Sequence, residues 1–312
     1  MMNKSWRFLY RWLLGFCVCI AGCQKEPIET PTKGYLKVIV SESVEPLLRQ
    51  EEQKFEELYP NAHVDLEVAL AREAIARLFN DTIQVIVSSR PLNDEERDVA
   101  KQAKLSFVEY KIAVDGIAII VNKENPVTQL RMTELESVLA GSITRWNSVG
   151  WKGSFASIDL CLPGRNSGTY EIVRRKVLHG KNFVTPSKVV NSTVDIIQFV
   201  SENSSAIGFI SSNWLNEKKD EVRVLELGDQ SAPDSLGGGQ YFAPYQAYVY
   251  LRYYPLTREI CIYSKADNYG VGAGFISFIT SATGQKIVQS SGLVPATMPV
   301  RIIETTRRSL KK

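Results

Sequence analysis

Three short segments place hydroxyl and charged side chains where an apolar strand-like run gives way to a helical one. Ser41-Glu42-Ser43-Val44-Glu45-Pro46 is the first, Ser88-Ser89-Arg90-Pro91-Leu92 the second, and Gly164-Arg165-Asn166-Ser167-Gly168-Thr169 the third. The start of a helix carries unpaired N–H groups and the positive end of the helix dipole, so it favours an anion. Ser and Thr hydroxyls add neutral donors, and a guanidinium can make two parallel bonds to neighbouring oxygens. Glycines in the third segment let the backbone approach a ligand closely. Each segment alone also reads as ordinary helix capping, with Ser43 as an N-cap. Three in one chain point to an oxyanion-binding cleft. The third segment lacks the GxxxxGK[ST] lysine of a nucleotide loop and the GxSxG nucleophile elbow.

The elements that would carry these loops alternate. Tyr35 to Val40 reads as a strand, Val44 to Tyr59 as a helix, His63 to Leu70 as a strand, Ala71 to Phe79 as a helix and Gln84 to Ser88 as a buried strand. Asn93 with Glu96 makes a capping box for a helix to Ala103. Phe107 to Val121 is a long apolar run broken by Asp115-Gly116, and Thr133 with Glu136 caps a helix closed by Gly141. Ile158 to Leu162, Thr169 to Leu178, Thr193 to Ser201 and Ala206 to Ile210 repeat the strand and helix signals, and the aromatic run Tyr241 to Tyr254 reads as a strand. This order predicts an α/β architecture with a mostly parallel sheet, whose ligands sit off the C-terminal strand ends.

The chain has 312 residues, 44% of them apolar, and a net charge of +3. Lys4, Arg7 and Arg11 account for that excess, so the chain from Cys23 onward is neutral, which argues against nucleic-acid binding. The apolar run Trp12 to Ile20 is too short to span a bilayer and fits a signal peptide. It ends in Ile20-Ala21-Gly22-Cys23, which resembles a bacterial lipobox and predicts a lipid on Cys23. Of the other cysteines, Cys161 and Cys261 read equally as a disulfide or as two buried thiols. No Cys/His metal spacing occurs, and no metal, cofactor or catalytic residue is expected. His63 and His179 read as surface or packed residues, Trp146 as a core or surface aromatic, and Glu51-Glu52 as solvated charges.

In order along the chain, the motifs resemble the phosphate-binding receptors of bacterial Pst-type ABC importers. The segments are Ser41 to Leu47, Ser88 to Leu92, Gly141-Ser142-Ile143-Thr144-Arg145-Trp146-Asn147, Arg165 to Thr169, Ala206-Ile207-Gly208-Phe209, Tyr254-Pro255-Leu256-Thr257-Arg258, and Gly284 through Pro295. The resemblance implies a two-lobed type II periplasmic binding protein, with a ligand cleft between lobes joined by two crossover strands near Ala113 to Val121 and Ile260 to Tyr263. It divides the chain into a signal peptide (1–22), a tether (23–34), lobe I (35–112 plus 264–312) and lobe II (113–263). It implies capture of phosphate or a similar oxyanion by a monomer in the cell envelope, lipid-anchored at Cys23, for permease subunits in the membrane. The implied ligand set is Ser41, Glu42, Ser43, Ser88, Ser89, Arg90, Arg165, Asn166, Ser167, Gly168 and Thr169. Two departures stand out. Ala69-Leu70-Ala71-Arg72 replaces a Gly-Ser-Gly turn, and Arg90 stands where some members place an aspartate that accepts the proton of phosphate. Glu42 is the candidate to take over that proton. The competing readings are a periplasmic phosphoester hydrolase and a ligand-free scaffold or adhesion lipoprotein on the same fold.

Overall fold

A computed structural model describes residues 29–80, 83–151, 157–218, 220–265 and 269–300. The expected signal peptide, Cys23, most of the tether and the tail from Arg301 lie outside them. Eight strands form the main sheet path: β1 (Lys33–Ser41), β2 (Asn61–Ala69), β3 (Val85–Ser88), β4 (Phe107–Asn122), β5 (Asp159–Pro163), β6 (Lys188–Val190), β7 (Ala206–Ser211) and β8 (Thr257–Lys265). Their order is β2-β1-β3-β8-β4-β7-β5-β6. β1 runs parallel to β2 and β3, and β5 parallel to β6 and β7. Between these two parallel blocks, β8 and β4 are antiparallel to each other and to their outer neighbours. Val222–Val224 and Val294–Pro295 also pair with β4.

Helices cover both faces of each block, so the strands read as continuous apolar runs. In β1, Val38 and Val40 face one core with Leu47 and Phe55 of α1 (Glu45–Leu58) and Phe275 and Ile279 of α7 (Val271–Thr280). Ile39, between them, faces the opposite core with Ile75 and Leu78 of α2 (Ala71–Phe79). α3 (Asp94–Gln102) follows β3, opened by the Asn93–Glu96 capping box, and α8 (Ala282–Ser290) follows α7. The second block repeats the alternation. Ile117 and Ile119 of β4 join Leu135 of α4 (Met132–Leu139) and Ile172 of α5 (Gly168–Lys176), while Ala118 and Ile120 join Ile196 and Val200 of α6 (Thr193–Glu202). The side-chain period of two along a strand thus feeds four apolar layers from one sheet.

Several expectations shift. β1 begins at Lys33 rather than Tyr35, and the chain is docked before it: a Cβ on Gly274 would lie 1.8 Å from the Pro31 carbonyl oxygen. The tether therefore ends before residue 34. The second crossing lies at Thr257 to Ile260, because Cys261 to Ser264 already pairs with β3. Thr133 does not cap α4. Arg131 does, and its N–H donates to Glu134 at 2.8 Å. The Tyr241 to Tyr254 run is not one strand. Only Tyr241–Phe242 pairs, and after Pro244 a short helix, Gln246–Tyr250, begins. Gly116 allows that helix to press on the crossing, since a Cβ there would sit 2.9 Å from Pro244 and Val249. Cys161 and Cys261 are free thiols in separate cores. Trp146 is fully buried, and His63 and His179 are exposed. Glu51 is not solvated: it is 0% exposed, its carboxyl has no hydrogen-bond partner among the described residues, and burial pushes its pKa up to about 9.

Candidate functional site

The C-terminal ends of β1, β3, β5 and β7 meet where β4 and β8 cross between the two blocks. The β1 end delivers Ser41, then a 3-10 turn over Glu42–Val44. Ser43 was expected as a helix N-cap, but the turn displaces the start of α1 to Glu45 and leaves the buried Ser43 hydroxyl without a partner among the described residues. Ser41 ties the first loop to the second, because its Oγ accepts the Ser89 N–H at 3.1 Å. Ser88 shapes the second loop internally, donating to the Arg90 carbonyl at 2.7 Å. The Ser89 hydroxyl is buried and unpartnered among the described residues.

Arg90 is 1% exposed, yet its guanidinium is not free for an anion. Nη1 and Nη2 donate to the two carboxylate oxygens of Glu96, each at 2.7 Å. Nε lies 2.7 Å from Glu171 Oε2 on α5, across the interface between the blocks, and Asn93 Nδ2 donates to Glu171 Oε1 at 3.1 Å. Burial opposes the charge of Arg90, and the two carboxylates outweigh it and raise its pKa. In this structure Arg90 links the blocks through Glu96 and Glu171.

The third loop divides. The Ser167 N–H donates to the Gly164 carbonyl at 2.8 Å, which puts Arg165 and Asn166 at the corner of a turn and exposes both side chains. Arg165 lies with Pro163, Tyr170 and Phe183 along the outer side of its block, outside the loop cluster. Asn166 contributes its carbonyl, which accepts the Arg72 N–H at the start of α2 at 3.0 Å. Ser167, Gly168 and Thr169 turn inward and are buried. Ser167 Oγ accepts the Thr169 N–H at 3.1 Å and donates across the interface to Glu42 Oε1 at 2.6 Å. Gly168 is required by close approach, as a Cβ there would lie 2.3 Å from Ser89 Oγ.

Two residues outside the expected set complete the cluster. Arg258 and Asp115 face each other in the register of β8 and β4, and both are fully buried. Arg258 Nε donates to Asp115 Oδ2 at 2.8 Å and Nη1 donates to Thr169 Oγ1 at 2.8 Å, leaving Nη2 without a partner among the described residues. Asp115 Oδ1 accepts both the N–H and the hydroxyl of Ser212, at 3.0 and 2.9 Å. Asn213 follows with both amide atoms buried and unpartnered among the described residues, and Trp214 Nε1 donates to the Ser43 carbonyl at 3.1 Å. The traces in the sequence were the Tyr-Pro-Leu-Thr-Arg segment and the lone aspartate in an apolar strand.

The Glu42 carboxyl is raised above its ordinary value by burial, against the Ser167 hydrogen bond and the positive charge of Arg258. The cluster thus holds unpartnered buried donors in Ser43 Oγ, Ser89 Oγ, Ser211 Oγ, Asn213 Nδ2 and Arg258 Nη2. Ser89 and Arg258 lie against the first turn of α5, an arrangement suited to desolvating a small oxyanion without leaving its oxygens unpaired. Among the described residues, no group of three or more His, Cys, Asp or Glu could hold a metal ion, and no helix is long and apolar enough to cross a membrane.

Comparison with known proteins gives a consistent set of likenesses. A PBP superfamily domain matches residues 25–283. The phosphate-binding protein PstS of Staphylococcus aureus (strain USA300) is 25% identical over 301 residues, spanning 94% of this chain and 89% of that protein. A solved phosphate ABC transporter substrate-binding protein with bound phosphate from Clostridium perfringens is similar with a TM-score of 0.72 and 26% identity, over 84% of this chain and 99% of its own. An ABC-type phosphate transport receptor from Vibrio cholerae shares the fold, with a TM-score of 0.63 and 24% identity over 84% of this chain and 100% of its own.

Proposed function

The chain belongs to the PBP superfamily, and from that premise we propose that it captures inorganic phosphate, or a tetrahedral oxyanion like it, for an ABC importer. The observation that carries the reading is the set of unpartnered buried donors in the loop cluster, with Ser89 Oγ and Arg258 against the start of α5. Buried polar groups are nearly always satisfied, and an oxyanion would supply the missing acceptors. Ser167 and Thr169 add hydroxyls, Gly168 gives close approach, and Ser41 and Ser88 hold the loops in register. Arg90 acts on closure, through Glu171. The relatives named above support phosphate as the ligand. The two blocks act as lobes, with boundaries near 112/113 and 263/264, that part and close about the β4–β8 crossing.

The protein works outside the cytoplasm as a monomer, held by a lipid on Cys23, and hands its ligand to permease subunits. Binding is its whole task, with no chemical step. Calorimetric titration of the purified protein with phosphate, arsenate, sulfate and molybdate tests the capture: saturable one-site binding of phosphate is expected, and heat from none of the four anions would refute it. Cys23→Ser should move the protein from the membrane fraction to the soluble one. A variant that stays in the membrane with the same acyl mass would remove the anchor.

A further inference from the structure

On the reading of the cleft as an oxyanion site, we propose that the Glu42 carboxyl is a tethered occupant of that site. It engages donors an external anion would use and holds the blocks together before ligand arrives. Glu42 sits between Ser41 and Ser43 in the turn after β1, 6% exposed. Nothing in its own turn requires the side chain to leave its block, because an acidic residue at a helix start is satisfied by local N–H groups. It nevertheless reaches across the interface. Ser167 Oγ, the N-cap of α5, donates to Oε1 at 2.6 Å, the length of a charge-assisted bond. Oε2 is buried with no partner among the described residues. Burial raises the carboxyl above its ordinary value, against the Ser167 hydrogen bond, the positive charge of Arg258 and the N–H groups of Glu42 and Ser43. A hydroxyl at a helix N-cap is a donor that holds a bound oxyanion, and here it holds a side chain, with the charge of Arg258 nearby.

The arrangement also excludes simultaneous occupancy. Ser167 Oγ has one proton to donate and gives it to Glu42 Oε1, so an oxyanion can take that hydrogen bond only in place of the carboxyl. An incoming oxyanion must therefore displace Glu42 from Ser167. Displacing one charge-assisted hydrogen bond lowers apparent affinity by about tenfold to a hundredfold. The charged groups around Glu42 are Arg258 and, behind it, Asp115. Arg90 is committed to Glu96 and Glu171.

The test compares the wild type with Glu42→Ser, which removes the carboxylate and leaves a small donor in its place. Phosphate and sulfate affinities are measured by calorimetry, and the radius of gyration of the anion-free protein by small-angle scattering. The proposal expects the anion-free wild type to be as compact as its phosphate-saturated form. The serine variant should expand without anion, contract with phosphate, and bind phosphate at least about tenfold more tightly. If the serine variant does not fold, Glu42→Gln, which keeps the volume, should expand in the same way. A fall in phosphate affinity in a variant whose anion-free size is unchanged overturns the proposal and returns Glu42 to the role of proton acceptor. If neither protein binds either anion, the capture reading fails, and scattering alone still decides: expansion on removing the carboxylate supports the tethered occupant, and no change rejects it.

Discussion

Asp115→Asn tests whether the ion pair at the β4–β8 crossing supports the fold as well as the site. The substitution keeps the volume and removes one charge. In the wild type, Asp115 accepts from Arg258 Nε and twice from Ser212, with both charged side chains 0% exposed. Asparagine has one acceptor oxygen for these donors and turns its NH2 toward one of them. Arg258 would keep Thr169 Oγ1 as an acceptor but lose its counter-charge in a site without water access. Breaking a buried pair from one side costs about 3–5 kcal/mol, more than a hydrogen bond alone, because the remaining charge stays buried. Urea denaturation at neutral pH should show that loss at an unchanged denaturant slope. Replacing both partners by apolar residues, Asp115→Leu with Arg258→Met, should cost less than the two single changes added together, because no charge is left behind. Saturating phosphate should stabilise Asp115→Asn more than the wild type, since the anion supplies the missing charge. A single-variant loss below about 1 kcal/mol, the worth of an exposed pair, would refute the reasoning.

Three other outcomes follow from the geometry. Ser89→Ala should leave thermal stability intact, because the hydroxyl has no partner among the described residues, and should weaken phosphate binding by about tenfold in calorimetry. Glu171→Gln removes the carboxylate that joins Arg90 and Asn93 across the interface, so phosphate dissociation measured by stopped flow should accelerate by roughly tenfold. The Glu51 carboxyl keeps its proton when folded up to about pH 9 but releases it near 4.5 when unfolded, so folded stability falls as pH rises between those values. Glu51→Gln should therefore stabilise the protein by about 3 kcal/mol at pH 7, with the gain vanishing near pH 4.5 in urea denaturation series at several pH values.

Most of the sheet was legible because its longer strands carry their own signal and each anion loop lies at a strand-to-helix junction, whereas the short strands Lys188–Val190 and Val222–Val224 carry none. What was not legible depends on partners far along the chain. Arg90 reads as a free cation until Glu171, 81 positions later in sequence, is folded against it. Arg258 shows its role only when β8 brings it opposite Asp115, across a sequence separation of 143. Arg165 sits exposed at the corner of a turn closed by one backbone hydrogen bond, a placement the sequence does not show. Glu51 defeats local reading altogether: beside Glu52 it looks like a solvated pair, and only the packing of α1 reveals that one carboxylate of the two is enclosed. The aromatic run after Gly239 misled because period and composition suggested a strand, while Pro244 and the helical bonds after it determined the outcome.

The docking of Pro31 against α7 has a consequence for how the molecule stands on a surface. With a lipid on Cys23, the residues from Gln24 to Ile28 reach about 20 Å at full extension before the chain is fixed. From that root, β1 runs nine residues, about 30 Å, to the anion loops at its far end. The leash is shorter than the distance from root to cleft. Were Cys23 lipid-bearing, as proposed, that leash would keep the cleft end from resting on the same bilayer.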